Sequence, residues 1–254
     1  MPIITLTTDF GLRDPYAAQL KGTIMSMCPN ANLVDISHNV GPYDLLEAAH
    51  MLNHSWGHFP AGTLHICSVD SNSETDTPYL CFRQNDHLFL MPDNGLVYLI
   101  FDEFTANVVR LQISEDRSTK LVIAEVVKQL SLGIEPTRLG ETVTDLVGSM
   151  RPEPVIQPDR IRASIMYIDR YHNAVLNVHR EQIDKMRKGR LVHTRFSQGD
   201  PIIGIHEHYH EVPQGDLLAR YNSRGFVEIC INMGRAAQLF GLERDQLIEL
   251  EFIG

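Results

Sequence analysis

The chain has no long apolar run. Nowhere among its 254 residues is there anything near the roughly 18 consecutive apolar positions that a membrane-spanning helix needs. The opening Met1-Pro2-Ile3-Ile4-Thr5-Leu6-Thr7-Thr8-Asp9 has neither the basic start nor the apolar stretch of a signal peptide, so secretion by that route is not expected. Cysteine is sparse: Cys28, Cys67, Cys81 and Cys230 are scattered, with no C-x-x-C, and read as reduced core thiols in a cytoplasmic protein. Basic charge is also short, with 22 Lys+Arg against 32 Asp+Glu and a formal net charge of -10. Nucleic-acid affinity rests largely on Lys and Arg neutralising phosphates, so a small-molecule protein is the better expectation. The phosphate-cradling G-x-G-x-x-G and G-x-x-x-x-G-K-[ST] patterns are absent, as is the G-x-S-x-G nucleophile elbow.

What is present is an ordinary 43% of hydrophobic residues in a pattern that changes along the chain. In the first half, strand-like and helix-like stretches alternate. Ile3–Thr8, Asn32–Ile36, Thr63–Val69 and Leu88–Met91 read as strands. Tyr16–Met27, Asp44–Trp56 (with Asp44 as cap) and Lys120–Leu132 read as helices. That order predicts a mostly parallel sheet covered on both faces, over residues 1–150. Pro152, Pro154 and Pro158 mark a linker with a boundary near residue 155. Beyond it, short strands predict a small β-barrel domain over residues 159–254: Arg160–Ile168, Ala174–Val178, Pro201–Glu207, Asp216–Tyr221, Phe226–Ile231 and Gln246–Phe252.

No metal site is expected. His206, His208 and His210 would share one face of a strand, but no fourth ligand is evident, and an exposed polar edge is the simpler reading. His50, His54 and His58 have helical spacing without an H-E-x-x-H glutamate, which describes a helix surface. The chemistry-bearing residues sit instead at turns. Asp9 and Asp70 follow strands, where an α/β sheet gathers its ligand groups and a carboxylate can meet a ribose diol. Asp169-Arg170-Tyr171-His172-Asn173 puts an acid, an aromatic and an amide on one turn. Asn222-Ser223-Arg224-Gly225 forms another, and Arg224 could grip a carboxylate bidentately. Met233-Gly234-Arg235-Ala236-Ala237 opens a helix with free N–H groups. Taken singly, each of these is as well explained by turn or cap formation.

In series they carry more. T-L-T-T-D-F-G, K-G-T-I, D-I-S-H, M-P-D-N-G-L, I-D-R-Y-H-N, H-Y-H-E-V-P, N-S-R-G-F-V-E-I and M-G-R-A-A-Q-L-F-G-L occur in order over about Ile3–Leu250. This series resembles the S-adenosylmethionine hydroxide adenosyltransferase family, hydrolases related to the fluorinase and chlorinase enzymes. The resemblance implies an N-terminal α/β domain, a C-terminal β-barrel, and a homotrimer holding S-adenosylmethionine between the N-domain of one subunit and the C-domain of its neighbour. It implies that Asp9 binds the ribose hydroxyls and that Asp169 and Ser223 hold the amino-acid end. Tyr171 and Tyr209 would flank the adenine, Asn173 would read its edge, Asn222 and Arg224 would stand beside Ser223, and Ala236 would offer backbone to the base. Asp70 would be the catalytic aspartate. The implied reaction is water or hydroxide attack at ribose C5′, giving adenosine and L-methionine with no cofactor.

The sequence departs from the family where the nucleophile is activated. An arginine and a histidine are expected to accompany Asp70. The loop after it reads Ser71-Asn72-Ser73-Glu74-Thr75-Asp76-Thr77-Pro78, without arginine, and the next arginine is Arg83. The expected histidine position aligns with Ser118 of Arg117-Ser118-Thr119-Lys120-Leu121, and no His lies between His87 and His172. Two readings stay open: a hydrolase in which Lys120 or Arg117 substitutes for the lost cation, or a catalytically silent binder of adenosine or S-adenosylmethionine. The Asp70 loop does not match the halogenases' halide-binding stretch, so halogenation is not expected.

Overall fold

The computed structural model describes residues 3–70, 77–101, 103–111, 118–196 and 200–254. The chain divides into two compact units, Met1–Arg151 and Pro152–Gly254. Among the described residues, no helix is long and apolar enough to cross a membrane.

The first unit runs β1 (Ile3–Thr8), α1 (Tyr16–Met27), β2 (Asn32–Ser37), α2 (Leu45–Ser55), β3 (Leu64–Ser68), β4 (Tyr79–Gln84), β5 (His87–Pro92), α3 (Leu96–Ile100), β6 (Val108–Leu111), α4 (Thr119–Ser131) and β7 (Glu141–Val143). Its seven-stranded sheet has the order β2-β1-β3-β5-β4-β6-β7. The β2-β1-β3-β5 half is parallel, and β4, β6 and β7 extend it antiparallel. Successive side chains of a strand point to opposite faces, and β5 shows the consequence. Leu88 and Leu90 join the core under α1 and α4, while Phe89 and Met91 join the core under α2 and α3. Helix α2 begins where its sequence signals: Asp44 Oδ1 accepts from the Glu47 amide at 2.9 Å, and Glu47 Oε2 accepts from the Gly41 amide at 2.9 Å.

The second unit comprises β8 (Val155–Ile156), β9 (Arg160–Ile168), β10 (Ala174–His179), α5 (Arg180–Arg187), β11 (Leu191–Arg195), β12 (Ile202–Ile203), β13 (Leu217–Tyr221), β14 (Phe226–Ile231), α6 (Ala236–Phe240) and β15 (Leu247–Ile253). The strands make an antiparallel path β12-β11-β15-β9-β10-β14-β13, with β8 pairing β9. A bridge from His206 to Arg220 of β13 brings the β12 side round toward β13, so the barrel is nearly closed. Its interior is aliphatic, built on Ile161, Ile165, Leu176, Ile229, Ile248 and Leu250 among others. The proline-rich stretch is shared by the units: Arg151 Nε donates to Leu99 O at 2.8 Å in the first, and β8 pairs β9 in the second.

One expected strand is mostly absent. Of Pro201–Glu207 only Ile202–Ile203 is strand. Gly204 takes φ +82°, and the Glu211 carboxylate then accepts from the amides of Glu207 at 2.9 Å and His208 at 2.6 Å. Those bonds draw Tyr209–Glu211 into a 3-10 turn rather than a strand. All four cysteines are free and buried, and burial pushes the thiols of Cys67 and Cys81 up to about 12.

Candidate functional site

Strands β1 and β3 are neighbours in register, Thr8 opposite Ser68. Parallel pairing therefore brings Asp9, one residue past β1, and Asp70, two residues past β3, to the same carboxyl edge of the sheet. Asp9 is fixed by backbone: its Oδ2 accepts from the Tyr43 amide at 3.1 Å and from the Asp70 amide at 3.2 Å. Asp70 takes φ +49°, a left-handed conformation that aspartate tolerates better than most residues. The two acids share one hydrogen-bonded frame, with Asp70's backbone on Asp9's carboxylate.

The end of β5 closes the same edge. Asn94 Nδ2 donates to Val69 O at 3.1 Å, holding the residue before Asp70. Asp93, buried, is gripped by Arg110 Nη2 at 2.8 Å and accepts from the Val147 amide at 2.9 Å. Gly95, at φ +97°, lets the chain turn into α3, and a Cβ there would come 2.7 Å from Ser149 Cβ. In the sequence, Asn94 stands within the M-P-D-N-G-L motif with no task of its own assigned. The signal was available: an amide before a glycine at a strand end is a turn residue able to tie down its neighbour.

Among the described residues, the candidate activating groups are engaged by other partners. Ser118 is the N-cap of α4, its Oγ accepting from the Leu121 amide at 3.4 Å. Lys120 Nζ donates to Gln19 Oε1 at 2.8 Å and lies 5.3 Å over the Tyr16 ring. Arg83 belongs to the far edge, opposite Leu88 at the start of β5, and pairs with Glu135 at 3.4 Å. Residues 71–76 and Arg117 lie outside the described residues.

In the barrel unit, Asp169 organises the turn between β9 and β10. Its Oδ1 accepts from the amides of Tyr171 and Asn173, both at 2.8 Å, and its Oδ2 from Asn173 Nδ2 at 2.9 Å. This leaves Tyr171 outside, 75% exposed. Asn173 is 4% exposed, and its amide also donates to Tyr209 Oη at 3.1 Å. Tyr209 donates onward to Glu228 Oε1 at 2.9 Å, and Arg220 both pairs with Glu228 at 2.6 Å and stacks 4.3 Å over the Tyr209 ring. Burial, reinforced by the Glu228 charge, pushes the Tyr209 phenol well above its ordinary value, so it remains a donor. Glu228 and Arg220 were not singled out from sequence; a charge inside an alternating strand was the available signal.

The start of α6 adjoins the Asp169 turn, with the Ala237 amide donating to His172 O at 2.8 Å and Ala236 fully buried. The turn Asn222–Gly225 is held by Asn222 Oδ1, which accepts from the amides of Arg224 at 2.9 Å and Phe226 at 3.1 Å. It displays Ser223 and Arg224 to solvent. Phe226 pairs with His179, and Ile229 with Ala174. The Asn222 turn and the Asp169 turn therefore flank opposite ends of β10. Among the described residues there is no group of His, Cys, Asp and Glu suited to hold a metal ion.

The chain matches two family descriptions in tandem: the SAM hydroxide adenosyltransferase N-terminal domain over residues 4–140 and its C-terminal domain over residues 163–249. It is 26% identical to an (R)-S-adenosyl-L-methionine hydrolase of Salinispora tropica, over 95% of this chain and 94% of that one. It is 25% identical to a protein of the same name from Methanocaldococcus jannaschii, over 100% and 96% of the two chains. A fluorinase of an Actinoplanes species is 22% identical over 95% of each chain. Among solved structures, an uncharacterized conserved protein from Thermotoga maritima superposes with a TM-score of 0.86 at 23% identity, covering 98% of this chain and 99% of that one. With both domains matched in order across most of its length, the chain belongs to the SAM hydroxide adenosyltransferase family.

Proposed function

We propose that the protein is an S-adenosyl-L-methionine hydrolase that releases adenosine and L-methionine. The observation that carries this reading is the Asp9–Asp70 frame at the carboxyl ends of β1 and β3, in a chain whose full-length relatives include proteins named for that hydrolysis. Asp9, held by two backbone amides, presents its carboxylate to the ribose diol. Asp70 orients the attacking water and draws off its proton as the C5′–O bond forms and the C5′–S bond breaks. The sulfonium leaves as the neutral thioether of methionine, so the reaction needs positioning and charge stabilisation and no cofactor. Tyr171, Tyr209, Asn173 and Ala236 serve the adenine, with Asp169 holding the turn that presents them, and Asn222, Ser223 and Arg224, at the other end of β10, serve the amino-acid end. These residues belong to the barrel unit, whereas Asp9 and Asp70 belong to the sheet unit. We take the working form to be a homotrimer in which neighbouring subunits each supply one set. Four free, buried thiols suit a cytoplasmic setting.

A second reading has its own support. Ser118 stands where the family's histidine is expected, and its hydroxyl is occupied as a helix cap; Lys120, a candidate replacement cation, is engaged by Gln19 and Tyr16. A silent binder of adenosine or S-adenosylmethionine would have this character. Incubation with S-adenosylmethionine, with adenosine followed by chromatography, separates the two. Adenosine release above the buffer rate supports the hydrolase. Calorimetric binding of adenosine without release supports the silent binder, and neither result removes both.

A further inference from the structure

His38 of the Asp35-Ile36-Ser37-His38 motif has no part in the reaction as derived, yet it is 3% exposed with a polar group near each ring nitrogen. Its Nδ1 lies 2.8 Å from Thr8 Oγ1. Its Nε2 lies 3.1 Å from Asp35 Oδ1, within range of charge attraction though not aligned into a hydrogen bond. Asp35 is anchored on the other side by Lys21 Nζ at 2.6 Å. Burial raises the Asp35 carboxyl, but Lys21 and His38 beside it outweigh that, so Asp35 is held below its ordinary range and stays ionised. An ionised carboxylate beside Nε2 repels a lone pair and favours a proton there. In the neutral ring Nδ1 is then the acceptor, and the Thr8 hydroxyl must donate to it. With its proton committed, Thr8 Oγ1 offers lone pairs in the other direction, where the Phe10 amide donates to it at 3.3 Å. The main chain joins the same clamp: the Gly11 amide donates to His38 O at 2.6 Å, and the Val40 amide to Thr8 O at 3.4 Å.

The chain Lys21–Asp35–His38–Thr8 thus ends on both sides of Asp9. A Thr-His-Asp series is also the arrangement of a nucleophile with its base, but Thr8 is fully buried and presents no hydroxyl to a substrate. We infer that His38 is a positioning residue: through Thr8 and its own carbonyl it fixes the Asp9-Phe10-Gly11 turn so that the Asp9 carboxylate meets a ribose diol. This rests on the reading that Asp9 binds the diol.

The test compares adenosine with 2′,3′-dideoxyadenosine by calorimetry on the full chain. Wild type binds adenosine more tightly. Thr8→Val, nearly isosteric, weakens adenosine about tenfold or more and leaves the dideoxy compound within about twofold. Thr8→Ser returns adenosine to within about threefold of wild type. Asp35→Ala, at a half-exposed position that does not threaten folding, gives the same selective loss at about threefold. Equal weakening of both nucleosides, or no weakening, overturns the positioning role, because a general structural defect has no means to sense the diol. A wild type that binds neither nucleoside, or binds both alike, instead overturns the assignment of Asp9 on which the inference stands.

Discussion

At the scale of single residues, the two strand-end acids have different tasks and are separable by substitution. Asp9 accepts two backbone amides on one oxygen, so Asp9→Ala both removes the diol acceptor and releases the amide of Asp70. Adenosine affinity is expected to fall at least about tenfold, read by calorimetry. Asp70 requires a gentler substitution because its backbone is left-handed at φ +49°. Alanine there adds strain of about 1 kcal/mol, whereas asparagine tolerates the conformation and keeps the N–H that Asp9 uses. Asp70→Asn is therefore expected to leave adenosine binding within about twofold and to lower any turnover by about 100-fold, as loss of a general base does. The reverse pattern, binding lost and turnover kept, would exchange the two roles. Both acids were readable from sequence because a carboxylate just after a β-branched run is a local feature. Thr8, His38 and Asn94 were not given tasks, because what they do depends on pairings 25 to 30 residues apart, such as His38 with Thr8 and Asn94 with Val69.

At the scale of elements, β1, β3 and β5 carry a second polar chain toward their amino ends. Thr5 Oγ1 lies 2.8 Å from His65 Nδ1, and His65 Nε2 lies 3.0 Å from His87 Nδ1; His65 also stacks on Phe89. Burial, with His87 adding to it, presses His65 down to about 3. The folded state refuses a proton that the unfolded chain accepts near 6.5, so the neutral ring's contribution is intact above that pH and is lost as pH falls toward about 3. His65→Gln removes this term. The stability advantage of wild type over the variant, measured by urea unfolding, is expected to shrink by about 1.4 kcal/mol per pH unit below the imidazole range. A difference that stays constant from neutral to acid pH would show that His65 carries no such linkage. These elements illustrate what sequence can convey. Strands β1, β2, β3 and β5 were legible as short apolar or β-branched runs closed by turn residues, and helices α1, α2 and α4 by the helical spacing of their apolar side chains. Strand β4 and helix α5 were not. Tyr79–Gln84 is buried like β3 and β5 save Arg83, but Cys81, Arg83 and Gln84 interrupt its apolar residues, so no continuous apolar or β-branched run marks it. Arg180–Arg187 buries only Ile183 and is started by a histidine cap.

At the scale of the whole molecule, the candidate residues fall into two sets on units with separate cores. Each set is incomplete alone. The sheet unit has the carboxylates for a diol and a nucleophile, with Tyr16 50% and Tyr43 70% exposed, but not the residues assigned to the amino-acid end. The barrel unit has the exposed Tyr171, the stacked Tyr209 and the displayed Ser223 and Arg224. Whether one chain or two neighbours complete a site can be decided by mixing defects. Asp9→Ala damages only the sheet set. Tyr171→Ala combined with Arg224→Ala damages only the barrel set, at exposed positions where truncation costs little stability. If each site joins the two sets of one chain, protomers of the two kinds co-assembled in equal amounts give no intact site. If each site joins neighbouring subunits in a cyclic trimer, an intact site arises whenever the sheet set comes from a barrel variant and the barrel set from a sheet variant. Random assembly then restores roughly a quarter of the wild-type adenosine-binding sites. Calorimetric stoichiometry near that fraction supports the shared site. Stoichiometry near zero, with the mixed oligomers folded and of trimer mass, would return both sets to a single chain.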